Sequence, residues 1–197
     1  MDFFNANHIL FITKFTFVKN KLTKQLNNQL AIEQPLTANW ILETLLYISI
    51  SLTTFLLMEG VTWFTHKFIM HKIMWYFHRD HHQPEAGFFE KNDTFFLIFA
   101  IPSWLCIMLG LMYNHNFVVS IGAGIALYGL AYFLVHDVFI HQRFKWLRNT
   151  NNAYFRALRK AHKVHHKHLG KENGECFGML YVPKKYFKEA FTSLENK

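Results

Sequence analysis

The chain has little of what several common site types require. Only two of its 197 residues are cysteines, Cys106 and Cys176, and Cys106 lies within a long apolar run. A disulfide framework, a cysteine-ligated zinc and an iron–sulfur cluster are therefore not expected. The glycine-containing stretch GAGIALYG at residues 122–129 does not fit the GxGxxG pattern and lies inside an apolar segment. The sequence thus predicts no dinucleotide-binding site.

Charged residues are also scarce, at 17% of the chain, whereas 51% of it is hydrophobic and 18% is aromatic. This composition excludes a disordered chain and is typical of a lipid-embedded or very apolar protein. The formal charge of +8 would suit nucleic acid, but the chain contains no nucleic-acid recognition motif. We therefore predict that the charge faces a membrane surface and that nucleic acid is not a partner.

Two long uncharged stretches predict a transmembrane hairpin. Residues 94–113 are twenty uncharged residues in a row, residues 117–135 are nineteen, and only the tripeptide NHN separates them. An earlier apolar stretch, at about residues 40–61, predicts a third span. The second arm of the hairpin carries four small residues that are expected to allow close contact between helices: Gly122, Gly124, Ala126 and Gly129.

Crossing the membrane twice returns the chain to the side it left, so the segments before and after the hairpin face the same compartment. From His136 onward, thirteen Lys and Arg residues stand against five acids, and positive charge marks the cytoplasmic side. The sequence therefore predicts an all-α, multi-pass integral membrane protein with its site on the cytoplasmic side. We predict three parts: an N-terminal extension at 1–35, which an interfacial helix could form, a membrane-embedded domain at 36–190, and a tail at 191–197.

Ten of the thirteen histidines follow the apolar stretches in two matching sets, HxxxxH then HxxHH. They are His66, His71, His78, His81 and His82 in the first set, and His136, His141, His162, His165 and His166 in the second. In HxxHH the three histidines can share one face of a helix. Five residues advance an α-helix by about 500°, so the two histidines of HxxxxH point about 140° apart. Such a pair would flank a large site, or the helix would end between them.

These histidines predict a site for two metals. Unpaired polar groups near lipid are costly, so a cluster of them indicates function. Imidazole binds zinc, copper, iron and nickel, but a zinc site needs only three or four ligands. Neither the HExxH of zinc proteases nor the ExxH of soluble di-iron bundles occurs. Four acids are either acceptors that orient imidazole rings or solvated charges: Asp80, Glu90, Asp93 and Asp137.

The ordered blocks around the histidines resemble those of bacterial β-carotene 3-hydroxylases, within the fatty acid hydroxylase and sterol desaturase superfamily. The blocks are MEGVTWFTHKFIMH, HRDHHQPEAGFFEKND, YFLVHDVFIHQRF, AHKVHH and FGMLYVP, and together they cover roughly residues 58–183. The first 35 or so residues lie outside this resemblance. The segment NGECFGMLYVP departs from the family block around Cys176, which bears on the fine substrate preference.

The resemblance implies a membrane monooxygenase with two non-haem irons held by the ten histidines, and no catalytic residue beyond the metal centre. It implies that dioxygen is the co-substrate and that β-carotene is hydroxylated at the 3-position of each ring, giving β-cryptoxanthin and then zeaxanthin. The carotenoid would enter from the lipid phase. Electrons would come from a separate donor, a ferredoxin with its reductase, for which the basic C-terminal side is either the docking surface or an anchor at anionic lipid.

Other interpretations stay open from the sequence. Within the same superfamily, the substrate could be a fatty acyl or sterol-like lipid that is hydroxylated or desaturated. A membrane metal transporter would also use histidines, although transporters place ligands at mid-membrane and these histidines follow the spans. A structural zinc protein is a third alternative.

Overall fold

A computed structural model describes residues 3–144 and 149–195 of the chain, and within them the side chains of residues 16–29, 39–144 and 149–192. The backbone forms two compact units, Met1–Leu46 and Tyr47–Lys197. All regular structure in the described part of the chain is helical, and no strand occurs there. The predicted all-α class is confirmed. The predicted division at residues 35 and 190 stays a prediction, and residues 196–197 of the predicted tail lie outside the described residues.

Within residues 3–144 and 149–195, the regular structure consists of α-helices, one short 3₁₀ helix and two π-helices. The α-helices are α1 (Phe3–Phe64), α2 (Trp75–His82), α3 (Phe95–Met112), α4 (Asn116–Phe133), α5 (Ala153–Lys167) and α6 (Lys184–Glu195). The 3₁₀ helix Lys91–Thr94 precedes α3. The π-helix Thr65–Ile73 continues α1, and the π-helix Leu134–Ile140 continues α4. Helix α1 belongs to the first unit as far as Leu46 and to the second unit from Tyr47.

In the part of the chain that the structure describes, three helical stretches are long and apolar enough to cross a membrane: Asn39–Ile73, Lys91–Met112 and Asn116–Ile140. Most of their apolar side chains are exposed on the isolated chain, as side chains that contact lipid would be. The three predicted spans are therefore confirmed as helices long and apolar enough to cross a membrane, which indicates a membrane protein. Both π-helices lie at the C-terminal ends of these stretches, so their histidines lie at the ends of the apolar segments.

Close backbone contacts hold the hairpin of α3 and α4 together and join it to α1. At Gly122 an added Cβ would lie 2.8 Å from the carbonyl oxygen of Ser103 on α3. At Gly124 it would lie 2.5 Å from the carbonyl oxygen of Ser51 on α1. The predicted role of small residues is confirmed at these two positions. It is wrong for Gly129, around which no heavy atom lies within 4 Å of an added Cβ.

The helix α5 carries the last three histidines and is fixed at both its start and its sides. Asn152 caps its N-terminus, because the side-chain oxygen accepts hydrogen bonds from the backbone N–H groups of Tyr154 and Phe155. One side of α5 packs Leu158 against Phe139 of the second π-helix. The other side packs small residues against α6. The second HxxHH motif is thereby brought beside the second HxxxxH motif.

Candidate metal centre

The histidines converge in two neighbouring groups whose ligand nitrogens lie within 4.8 Å of one another inside each group. The first histidine group contains His66, His71, His78, His82 and His165, and the second contains His81, His136, His141 and His162. The tenth histidine, His166, is outside both groups as defined by distance. Its Nε2 atom lies 2.8 Å from Nε2 of His162, and its ring stacks on His82 with centroids 4.6 Å apart. The structure thus brings all ten predicted residues together.

Each HxxxxH motif adopts a π-helix, which resolves the 140° divergence expected in an α-helix. A π-helix hydrogen-bonds residue i to residue i+5, so residues five apart lie one above the other. The backbone N–H of His141 donates to the carbonyl of His136 over 2.8 Å, and their ring centroids are 4.4 Å apart. The rings of His66 and His71 are 5.1 Å apart in the first π-helix. Both histidines of each motif therefore serve the same group, without an end of the helix between them.

Each HxxHH motif, in contrast, divides its histidines between the two groups. In α2, His78 and His82 belong to the first group and His81 to the second. In α5, His162 belongs to the second group and His165 to the first. Positions i+3 and i+4 of an α-helix lie about 100° apart on either side of position i, so one helix face reaches two sites. The middle histidine of each motif, His81 or His165, belongs to the group that contains the HxxxxH histidines of the other half of the chain. Both halves of the chain therefore contribute to both groups.

Backbone carbonyls from one C-terminal stretch orient most rings of the first group. The Nδ1 atoms of four histidines contact these carbonyl oxygens: His66 with Phe177 at 3.0 Å, His71 with Lys171 at 3.2 Å, His82 with His168 at 2.9 Å, and His165 with Glu175 at 2.8 Å. A carbonyl oxygen can only accept a hydrogen bond, so each of these Nδ1 atoms carries the proton. Each Nε2 atom then presents its lone pair to the interior of the group.

Side chains orient the remaining rings that have an acceptor at Nδ1: His78 contacts Asn92 Oδ1 at 2.6 Å, His81 contacts Glu90 Oε2 at 2.7 Å, and His136 contacts Asp137 Oδ2 at 3.2 Å. Of the four candidate acids, Glu90 and Asp137 therefore contact imidazoles. The other two accept from backbone N–H groups instead of imidazoles: Asp80 from the N–H of Lys91 and Asp93 from the N–H of Glu90.

One arginine joins the carboxylates around the second group. Nη1 of Arg143 lies 2.9 Å from Asp93 and 3.3 Å from Asp137, and Nη2 lies 3.1 Å from Glu90. The Arg143 side chain is 17% exposed, so its ion pairs are partly shielded from water. Burial raises the pKa of Glu90, and the adjacent guanidinium opposes that shift. Arg143 thus links the two carboxylates that orient His81 and His136.

The inward nitrogens fit a bound cation. Three pairs of Nε2 atoms face each other at 3.0–3.2 Å: His66 with His78, His71 with His165, and His81 with His136. Because all six Nδ1 atoms face acceptors, both members of each pair present lone pairs, and two lone pairs cannot form a hydrogen bond. The Nε2 atom of His82 is also buried without a partner. A bound metal ion would satisfy these nitrogens, because metal-bound imidazoles commonly donate their other ring N–H to an acceptor.

Burial keeps these imidazoles in the neutral form that binds metals. Desolvation, followed by repulsion from neighbouring histidines, lowers the pKa of His165 to about 2 and that of His166 to about 3. Desolvation likewise lowers the pKa of His78 to about 2 and that of His82 to about 4. The pKa values of His81, His141 and His162 are lowered for the same reason. Near neutral pH, protons therefore do not compete with a metal for these nitrogens.

The arrangement matches a known family. The chain matches the fatty acid hydroxylase family over residues 51–182, about two thirds of its length. The chain belongs to the fatty acid hydroxylase family. The matched region contains all ten histidines, Asn92, Arg143 and the backbone carbonyls that contact the first group. Membership of this hydroxylase family makes the chain an oxidoreductase.

Curated relatives of this hydroxylase include bacterial β-carotene hydroxylases. It is 42% identical to the β-carotene hydroxylase of Pantoea ananas over 128 residues, which are 64% of this chain and 71% of that protein. It is 41% identical to that of Pseudescherichia vulneris over 129 residues, 64% of this chain and 72% of that protein. Identity to the β-carotene hydroxylase of Paracoccus sp. (strain PC1) is 34% over 135 residues, 68% and 83% of the two chains. No solved structure matches the chain significantly.

Several residues of the site could not be identified from the sequence alone. Asn92 and Arg143 lie within the blocks EKND and HQRF, but neither residue type is typical of a metal site. The carbonyl groups of Lys171, Glu175 and Phe177 contribute through the backbone, which no side-chain pattern reports. Only the family resemblance indicated a role for this C-terminal stretch, because the matching sequence blocks extend past the last of the ten histidines to FGMLYVP.

Proposed function

We propose that the chain hydroxylates β-carotene at the 3-position of its β-ionone rings, giving β-cryptoxanthin and then zeaxanthin, with two non-haem irons. The observation that carries the proposal is the pair of histidine groups with converging Nε2 lone pairs at the end of apolar spans. Identities of 34–42% to bacterial β-carotene hydroxylases support the choice of substrate. The two groups support two metals, because one ion cannot contact nine or ten imidazoles.

We assign one iron to the first histidine group and the other to the second group together with His166. When bound, the two irons would supply dioxygen activation and insertion of one oxygen atom into a C–H bond, with two electrons and two protons from outside. The protein holds the imidazoles neutral by burial and fixes the tautomer of seven of them through oxygen acceptors at Nδ1. A ligand set made of neutral imidazoles leaves the positive charge of the metals largely uncompensated.

The position of the site suits a substrate dissolved in lipid. His66 and His71 end one span, and His136 ends another, so the metals would lie at the boundary between the apolar layer and the polar side. A carotenoid is an apolar rod with a ring at each end. It can therefore remain in the lipid while one ring reaches the site. Eight of the ten histidines are buried, which limits the access of water to the reacting C–H bond.

The electrons are proposed to come from a separate ferredoxin-type protein that its reductase reduces. A cavity of about 690 Å³ opens beside the first group and is lined by Trp75 and residues 167–173. The carbonyl groups of His168 and Lys171 in this segment accept from His82 and His71, so the cavity surface is one hydrogen bond from two proposed ligands. Lys167 and Lys171 also line it, and their charge suits an acidic donor.

The site is proposed to face the cytoplasm across a bacterial inner membrane. The excess of Lys and Arg after His136 supports this orientation, because basic residues are retained on the cytoplasmic side. A soluble reduced donor is available in that compartment. Labelling of single introduced cysteines at Asn114, in the turn between α3 and α4, and at Lys171 would report opposite sides. If both cysteines were labelled from the same side of the membrane, the result would contradict the proposed hairpin.

The function is tested in a bacterial host that makes β-carotene and lacks a hydroxylase. We expect the chain to convert β-carotene into β-cryptoxanthin and zeaxanthin, separated by chromatography, and expect purified chain to carry two irons. The His81→Ala chain, expressed at the same level, is the matched control and should leave β-carotene unchanged. If β-carotene persists while iron-loaded chain accumulates, the carotenoid assignment is wrong. Hydroxylated fatty acyl or sterol-like lipids in that host would then identify the substrate class.

A further inference from the structure

A carboxylate within an apolar span is bound by the C-terminal segment. Glu59 lies in the span Asn39–Ile73, within the second compact unit. Its Oε1 atom accepts hydrogen bonds from three consecutive backbone N–H groups, those of Met179, Leu180 and Tyr181, each over 2.9 Å. Its Oε2 atom accepts from the hydroxyl of Tyr128 on α4 over 2.7 Å. Glu59 contacts no histidine through these bonds.

Such an arrangement needs an explanation beyond packing. A carboxylate in an apolar span is costly unless hydrogen bonds or charges compensate it. Successive backbone N–H groups that converge on one oxygen form an anion-binding concavity. Four donors here replace the water that Glu59 would have outside the membrane. An apolar residue at this position would avoid the cost. We therefore attribute the presence of the carboxylate to the backbone segment that it binds.

The segment that Glu59 holds is the same segment that orients the first histidine group. Just before the three N–H groups, the carbonyl of Phe177 accepts from His66 and that of Glu175 accepts from His165. Between them, Cys176 has a φ of 62°, a left-handed conformation that is uncommon for residues other than glycine. The strained backbone at this point is stabilised by contacts on both sides of it.

The close approach of the backbone to Glu59 is visible at Gly178. A Cβ atom added there would lie 2.7 Å from Oε1 of Glu59, so a larger residue would displace the carboxylate or the segment. The second histidine group lacks this connection, because the acceptors at Nδ1 of His81 and His136 are Glu90 and Asp137. Through hydrogen bonds to ring nitrogens, Glu59 is therefore linked to the first group and not to His81 or His136 of the second.

We propose that Glu59 is a positioning residue for the metal bound by the first histidine group. By holding residues 179–181, it fixes the carbonyls of Glu175 and Phe177 and, through them, the rings of His165 and His66. This inference rests on the proposed function in one respect, namely that the two histidine groups hold metals. Loss of the carboxylate weakens binding at the first group and leaves the second group as it is.

The test is a Co²⁺ titration of the purified, metal-free chain in detergent, in which visible absorption measures metal binding. We expect two binding steps in the parent chain, and the reference variants His165→Ala and His136→Ala assign the first and second groups to them. In Glu59→Gln and Gly178→Ala, the step assigned to the first group should weaken about 10–100-fold, as loss of a ring partner does. The other step should be unchanged. Tyr128→Phe keeps the three N–H bonds and should have a smaller effect in the same direction.

Glu43→Gln is the matched control, because Glu43 is an exposed carboxylate on α1 outside this contact. Circular dichroism and gel filtration check that each variant is folded. Equal weakening of both steps, or no weakening, in folded Glu59→Gln overturns the positioning role. A parent chain that binds no Co²⁺ overturns both this role and the proposed metal site. Two normal binding steps without any carotenoid product overturn only the proposed function.

Discussion

His81 lies on α2, but its Nε2 atom is 3.0 Å from Nε2 of His136, at the end of the third span. Its neighbour His82 faces the other way and belongs to the first histidine group. Adjacent residues in the sequence therefore belong to different histidine groups. Each group is therefore complete only when α2, α5 and one of the two π-helices are in place.

We expect His81→Ala and His82→Ala to weaken different steps of a metal titration. Alanine at position 81 removes a ligand from the second group, and alanine at position 82 removes one from the first. Each loss should exceed the roughly 10–100-fold typical of a lost ring partner, because a ligand itself is removed. Co²⁺ binding followed by absorption distinguishes the steps. If both variants weakened the same step, the division of the motif between two groups would be wrong.

Arg143→Met should weaken metal binding at the second group about 10–100-fold. The guanidinium holds Glu90 and Asp137 in the positions from which they orient His81 and His136. Without it, the carboxylates repel each other and turn away from the rings. The measurement is the ratio of bound metal to protein after dialysis against graded chelator.

Arg79→Met provides the control for Arg143→Met. Arg79 is 46% exposed and lies 3.8 Å from Glu85, which is itself 61% exposed. Exposed ion pairs contribute about 0–1 kcal/mol, so metal binding should not change. An equal loss of metal in both variants would mean that general charge, and not the link between the two carboxylates, controls binding.

The sequence predicted the apolar helices and singled out the ten histidines that the structure brings together, because both depend on local composition. Uncharged runs of about twenty residues have few alternatives to a membrane span, and ten histidines in matching order have few alternatives to a metal site. Their division into two groups was not predictable. The division depends on the π-helical backbone of the HxxxxH motifs. In the α-helix that the sequence suggested, the side chains of His66 and His71 would point away from each other.

The contacts that orient the rings were also not predictable, for a different physical reason. The carbonyls of Phe177 and Lys171 lie 111 and 100 residues along the chain from His66 and His71, the histidines of the first π-helix that they contact. Every residue has a carbonyl group, so no residue type reveals which of them will turn inward. The left-handed Cys176 is part of that turn, and cysteine is not a residue that signals positive φ.

Gly124→Ala should destabilise the membrane-embedded unit by about 1–3 kcal/mol. The added methyl would lie 2.5 Å from the carbonyl oxygen of Ser51 and 2.6 Å from Cβ of Thr54, so α1 and α4 would have to separate. Gly129→Ala on the same helix places its methyl in open space and should be neutral. Thermal unfolding in detergent compares the two. Equal stability of both variants would contradict the close approach of α1 and α4.

The metal-free chain should lose stability as the pH falls below about 6.5. Burial lowers the pKa of His78 and His165 to about 2 and that of His82 to about 4. In the unfolded chain, each of these groups takes up a proton near pH 6.5. Between these values the unfolded state binds more protons than the folded state, so acid favours unfolding.

The size of this pH effect makes it measurable. Each such imidazole costs about 2 kcal/mol between pH 6.5 and 5, and a few of them match the 5–15 kcal/mol typical of a folded domain. We expect the chelator-treated chain to unfold in this pH interval, with tryptophan fluorescence as the measure of unfolding. His78→Leu should reduce the slope with pH, whereas replacement of the exposed His115 by alanine should not. Bound metal should shift the transition to lower pH, because protons must first displace it. A transition centred near pH 4 in the metal-free chain would instead assign the acid sensitivity to carboxylates such as Glu175, whose pKa is lowered by hydrogen bonds from Lys185 and Tyr186.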